Sequence, residues 1–212
     1  EFDKNLINNP SPIPIEDIIE QYYNLNIDYK TLSQDGSILG LTVFETGYLK
    51  VYDPDCNMYY PIEVRSGTII IDNTLVENAD CYGRYRFTCG HEFSHWELHK
   101  SLFFTNSTSN TEDKKYIKCL NRDIGNSIGR SNKTPKEWIE WQADYLSTAI
   151  LMPHPTVKEY YNSCREKLEK QKNMCEKSRC EITNEIIDIM AAFFEVSKKA
   201  MRTRLKEMTL IP

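Results

Sequence analysis

Five residues, His91-Glu92-Phe93-Ser94-His95, spell HExxH. On an α-helix, positions i and i+4 lie one above the other on the same face. Two imidazoles so placed can share one metal ion, and the glutamate beside the first can act on a water bound to that ion. The residue types therefore point to metal-assisted hydrolysis. The plainer alternative is a buried helix whose two histidines are satisfied core residues.

The element that must present these side chains is residues 84–100, which reads as one amphipathic helix with Phe87 and Leu98 facing a core. Only Gly90 weakens it, by roughly 1 kcal/mol. Its bare backbone, just before His91, leaves room for another element to approach.

A metal needs a third protein ligand. Position ten after His91 is Ser101, so the long zincin signature is absent. His99 shares a face with His91 and His95, but eight residues of straight helix put it about 12 Å from His91 along the axis. Ligands about 2 Å from one ion cannot span that. His99 reads first as a helix-end residue favourable to the C-terminal dipole. Support of the metal site or contact with substrate is the lesser alternative.

A second helix supplies better candidates. Residues 135–152 carry a strong 3.6-residue period. Thr134 can cap it, Pro135 suits its first turn, Glu137 favours its positive end and Pro153 stops it. Trp138, Trp141 and the run Ala149-Ile150-Leu151-Met152 predict a mostly buried helix. Within it, Glu140 and Asp144 are i and i+4 and point the same way. One can bind the metal while the other accepts a hydrogen bond from a ligand histidine's free N–H.

The phrase Arg86-Phe87-Thr88-Cys89-Gly90-His91-Glu92-Phe93-Ser94-His95-Trp96 resembles the active helix of the ImmA/IrrE family of metallopeptidases, and Ala149-Ile150-Leu151-Met152-Pro153 resembles the end of that family's second helix. Residues 40–44 and 67–72 are similar to the family's strands, and the stretch from Phe194 to Leu205 to its C-terminal helical region. The resemblance implies a zincin-like fold of gluzincin type. It implies a metal held by His91, His95 and Glu140, with Asp144 orienting a ligand histidine. It also implies a protein substrate, such as a helix-turn-helix repressor that the enzyme cleaves or antagonises. Three features depart from the family pattern. Ser94 stands where glycine is usual, Asp144 replaces a commoner asparagine, and 45 positions separate His95 from Glu140. The added length lies in the polar run of residues 105–115, which reads as a solvated insertion.

Composition sets outer bounds. At 212 residues the chain holds one domain, with room for a small appendage. A net charge of −5 argues against a general nucleic-acid binder. No apolar run is long enough to span a bilayer, and the first residues do not read as a signal peptide. Seven cysteines without a CxxC pair read as scattered reduced thiols. Together these predict a cytoplasmic protein.

Residues 1–13, rich in Pro and Asn, read as a flexible lead. A short helix is expected over 14–23, strands over 27–32, 38–45, 48–52 and 67–72, and a weak helix over 115–128. Asp35-Gly36 and Thr46-Gly47 are turn signals. Strands first and helices afterwards imply α+β: a small mixed β-sheet beside the active-site helix and the second metal-ligand helix. The catalytic domain would span 14–153, with the insertion near 101–115, and a helical C-terminal subdomain would span 154–212. Residues 67–72 are the candidate edge strand for holding an extended substrate.

Residues 182–208 place Ile182, Ile186, Ile189, Met190, Met201, Leu205 and Met208 at helical spacing, and the last helix is basic at Lys198, Lys199, Arg202, Arg204 and Lys206. A packed helical subdomain with a solvated basic face is favoured over weak DNA binding through 198–206.

The reading that follows is a metalloendopeptidase using Glu92 as general base. One Zn2+ per chain is expected, with Mn2+ and Fe2+ compatible with the same donors. A metal-binding anti-repressor or sensor with little turnover is the main alternative. Hydrolysis of a non-peptide amide or ester is a third.

Overall fold

A computed structural model of the chain describes residues 4–104, 116–120, 134–172 and 179–212. They form an α+β protein in two compact units. One is Pro14–Ser147; the other combines Glu1–Ile13 with Thr148–Pro212.

The first unit opens with α2 (Ile15–Asp17), preceded by α1 (Asn5–Asn8) of the other unit, and continues as a π-helical turn over Ile18–Tyr22. Five strands follow: β1 (Asn26–Lys30), β2 (Ile38–Val43), β3 (Gly47–Asp53), β4 (Met58–Val64) and β5 (Thr68–Asp72). Of the expected turns, Gly36 takes φ +64°, a left-handed conformation that costs glycine little. Asp35 Oδ1 braces it by accepting from the Ser37 N–H at 3.0 Å.

The main sheet has the order β1-β5-β2-β6, with β6 at Tyr116–Leu120. The β1–β5 pair is parallel, and β5–β2 and β2–β6 are antiparallel, so the sheet is mixed. Two expectations fall here. Residues 116–120 are strand, not helix, and the remainder of the expected 115–128 helix lies outside the described residues. The candidate edge strand 67–72 is β5, an interior strand with neighbours on both sides and all five residues buried. Its central Ile69-Ile70-Ile71 run is apolar without alternation because both faces are covered. On one face, Ile70 packs with Leu41 and Val43 of β2 and with Leu49, Val51 and Val64 of the β3–β4 hairpin. The register pairs Gly40 with Ile71 and Thr42 with Ile69, and alternation turns this set to the opposite face.

That face receives α4 (Tyr82–Phe104), reached through α3 (Thr74–Glu77) and a 3-10 turn over Ala79–Cys81. The helix runs straight through Gly90, and residues 101–104 continue it rather than opening the polar insertion; residues 105–115 lie outside the described residues. Then comes α5 (Pro135–Leu151). Its start is a reciprocal capping box: the Thr134 N–H donates to Glu137 Oε2 at 2.7 Å, and the Glu137 N–H to Thr134 Oγ1 at 3.3 Å.

The second unit is helical: α6 (His154–Lys172), α7 (Arg179–Phe193) and α8 (Lys198–Glu207). Val157, Cys164, Ile182, Ile186, Met190, Met201 and Leu205 are buried in it, whereas Ile189 is exposed. Ser197 caps α8 by accepting from the Ala200 N–H at 3.1 Å. The basic face is smaller than the sequence suggests. Arg204 is buried, donating Nε–H to the Met152 carbonyl at 3.0 Å, and Lys198 pairs with Asp188 at 2.9 Å. Among the described residues no helix is long and apolar enough to cross a membrane, and the five described cysteines with placed side chains carry no disulfide.

Candidate active site

The chemistry-bearing residues stand on α4 and α5. Helix α4 spans 23 residues and is not amphipathic over its middle. Tyr85 through His95 are all buried, polar residues included: Arg86, Thr88, His91, Glu92, Ser94 and His95. A helix covered all round must satisfy its polar groups internally. Ser94 does so by donating to the Gly90 carbonyl one turn back, at 2.7 Å, which accommodates a hydroxyl where the family pattern has glycine. Leu98, expected in the core, is exposed.

The i, i+4 spacing places the two imidazoles together, with His91 Nε2 and His95 Nε2 2.9 Å apart. Glu140 comes in from α5, its Oε2 lying 3.2 Å from His91 Nε2 and 3.5 Å from His95 Nε2. One turn further along α5, Asp144 Oδ1 sits 2.9 Å from His91 Nδ1. The Asp144 carboxylate can only accept, so Nδ1 of His91 carries the hydrogen and its Nε2 presents a lone pair.

Electrostatics sharpen this picture. Burial, aided by the neighbouring His91, pulls the His95 pKa down to about 4, which leaves this ring neutral. Burial by itself would raise the Glu140 carboxyl, but hydrogen bonding and charge from the facing His91 and His95 rings outweigh it and lower the group to about 2; that pull comes from ring protons, which a bound metal ion would replace. At 3.2 and 3.5 Å from the two ring nitrogens, the buried Glu140 Oε2 makes no well-directed hydrogen bond among the described residues. Electron-pair donors thus converge with nothing positive between them. Tetrahedral ligands about 2.0–2.1 Å from one ion would be separated by about 3.3 Å, close to the spacings found. The group His91, His95 and Glu140 could hold a metal ion.

Glu92 lies on the sheet side of α4. Burial raises its carboxyl to about 8, against the opposing pull of His91 and of the Thr42 hydroxyl. Thr42 Oγ1, on β2, reaches Glu92 Oε2 at 2.6 Å and the Glu92 carbonyl at 2.8 Å. The other carboxylate oxygen, Oε1, is buried without a partner among the described residues. Gly40, two residues before Thr42, makes this seat. A Cβ there would come within 2.7 Å of both Glu92 Oε1 and Thr88 Cγ2. Neither Gly40 nor Thr42 is identifiable from the sequence as a partner of Glu92. The only signal is the period-2 alternation that sends both to one face.

His99 is not a helix-end residue: α4 continues to Phe104, and His99 is buried. Its Nδ1 lies 3.1 Å from His95 Nδ1, and its Nε2 lies 3.0 Å from Gln142 Oε1 on α5. The tryptophans of α5 form a partly exposed aromatic strip, not a core. Trp138 meets Trp141 edge-on with ring centroids 5.3 Å apart, and Trp141 stacks on the exposed Tyr145 at 5.4 Å.

A known protein family matches much of this sequence. The family model for the IrrE N-terminal-like domain, peptidase M78, matches residues 74–206. That span is more than half of the chain; it begins at the start of α3, contains α4 and α5 whole, and ends within α8. It bears out the resemblance seen in Arg86–Trp96 and Ala149–Pro153, while β1–β5 lie outside it. No curated protein matches the chain.

Proposed function

We propose that this chain, which belongs to the IrrE N-terminal-like peptidase family M78, is a zinc-dependent endopeptidase that holds its metal with His91, His95 and Glu140 and uses Glu92 as general base. The observation that carries the reading is the convergence of two histidine Nε2 atoms, at 3.2 and 3.5 Å, on a buried Glu140 Oε2. A bound divalent ion would supply an acidified water and a Lewis acid for the scissile carbonyl.

The protein's own groups do the rest. Asp144 takes the Nδ1–H of His91 and so keeps its Nε2 lone pair aimed inward. Thr42 holds one oxygen of Glu92, and Oε1 has no partner among the described residues. Burial alone would keep Glu92 protonated; the positive charge of a bound divalent ion beside it would favour the carboxylate, which would then take the proton of the attacking water at Oε1 and return it to the leaving amine. Burial of His91, Glu92 and His95 keeps bulk water away and strengthens each of these contacts.

A free and buried Glu92 Oε1 favours turnover over a binding-only anti-repressor, which has no use for a proton acceptor there. The substrate proposed is a partner protein, such as a helix-turn-helix repressor, met in the cytoplasm; its support is the family resemblance. Co-expression with candidate repressors and mapping of cleavage sites tests the proposal. Cleavage by the wild type and none by Glu92→Gln is the expected result. Equal loss of repressor function with both proteins, and no cleavage, would move the chain to the anti-repressor reading.

A further inference from the structure

Two histidines in the metal group have unequal support. His91 leans on a carboxylate, which leaves no choice of tautomer. His95 leans on a neutral relay, His95 Nδ1 to His99 Nδ1 at 3.1 Å and His99 Nε2 to Gln142 Oε1 at 3.0 Å. A chain of neutral groups can run in either sense. In the forward sense, His95 Nδ1–H donates to His99 Nδ1, His99 Nε2–H donates to Gln142 Oε1, and His95 Nε2 is left with a bare lone pair. In the reverse sense, the Gln142 amide donates to His99, His99 Nδ1–H donates to His95, and the remaining hydrogen sits on His95 Nε2. That hydrogen would point at His91 Nε2, 2.9 Å away, and block the place where a metal would bind. The structure presents Oε1 of Gln142 to His99, which is the forward sense.

We propose that His99 and Gln142 are positioning residues that fix the tautomer of His95 and thereby set the chain's affinity for its metal. The inference rests on the proposed His91, His95 and Glu140 site. The relay is built as a device of this kind requires. His99 is 2 % exposed, so water cannot stand in for it. Gln142 is at the exposed end, where its amide can turn over. Helix α5 then touches the site three ways, through Glu140 itself, through Asp144 behind His91, and through Gln142 behind His99.

The test is a competition titration of Zn2+ against a chromophoric chelator, on the full chain. Loss of a hydrogen-bond partner behind a ligand histidine typically costs 10–100-fold in metal affinity. His99→Leu should weaken zinc binding by about that factor, and Gln142→Leu should weaken it in the same direction. Gln142→Glu is the discriminating variant. A carboxylate can only accept, so it locks the forward sense and should bind zinc at least as tightly as the wild type. A structural role alone would not give Leu and Glu opposite effects at an exposed position. Because Gln142 is exposed, its two variants report even if His99→Leu fails to fold. Wild-type affinity in folded Gln142→Leu and His99→Leu overturns the relay and leaves the metal site standing. A wild-type protein that binds no zinc, or a Glu140→Ala variant that binds it as tightly, overturns the site and the relay together.

Discussion

Helices α4 and α8 were built by opposite rules. In α8 the apolar Met201 and Leu205 turn inward, most charges stay out, and Ser197 caps the start. Its one buried cation, Arg204, is satisfied by the Met152 carbonyl. Every feature of that helix serves stability. In α4 an eleven-residue stretch, Tyr85 to His95, is buried whatever its polarity. It holds two imidazoles, a carboxyl displaced to about 8 and an oxygen with no partner among the described residues. Such an arrangement costs stability and persists where it serves chemistry. The difference separates a helix that holds the fold from one that the fold holds in place.

Substitutions can break that contrast, and the largest effect is expected at Glu92. Glu92→Gln should retain metal and lower proteolysis by about 10³-fold or more, the scale of a lost general base. Unchanged turnover on a mapped substrate would remove Glu92 from the mechanism.

The same variant should also gain stability when metal is removed. The folded pKa of Glu92, about 8, lies above its ordinary value of 4.5, so the native state keeps a proton the unfolded chain releases. Stability from this group is therefore present below pH 4.5 and lost as pH rises through 8. The full penalty is on the order of 5 kcal/mol. His95, held down at about 4, acts the other way, losing stability as pH falls from 6.5 toward 4. It is common to both proteins, so the difference between them isolates Glu92. Denaturant melts of chelated wild type and Glu92→Gln from pH 5 to 9 should diverge as pH rises; parallel curves would contradict the burial penalty.

In α8, Met201→Ala should cost about 2–5 kcal/mol of stability without weakening zinc binding of the folded protein. Gly40→Ala should do the reverse. Its overpacking cost is smaller, about 1–3 kcal/mol, but the new methyl group displaces the Glu92 carboxylate, so activity falls out of proportion to stability. Denaturant melts beside turnover measurements would check both. Loss of zinc in Met201→Ala, or full activity in Gly40→Ala, would erase the distinction between the two helices.

What the sequence made legible was local. Helical periodicity, Thr134 and Pro153 located α5 to within a residue, and the i, i+4 rule paired His91 with His95 and Glu140 with Asp144. The α+β arrangement followed from element order. What stayed hidden was set by neighbours distant in the chain. No strand is expected from the sequence over 58–64, yet β4 forms there with Pro61 inside it, since Pro is tolerated in a two-stranded hairpin such as β3–β4. Residues 116–120 became strand because β2 offers them an edge, which propensity cannot foresee. An edge and an interior strand look alike in 67–72 until the pairing order is known. The contacts of Thr42 with Glu92 and Gln142 with His99 span 50 and 43 positions, and no spacing rule reaches so far.

The proposed chemistry requires His91, His95 and Glu140 to hold a metal. Elemental analysis of the purified wild type and of Glu140→Ala tests it most directly. About one zinc per wild-type chain is expected, lost in the variant while circular dichroism shows the fold kept. A wild type that takes up no metal even after zinc is added back, or a Glu140→Ala protein with an undiminished complement, would contradict it.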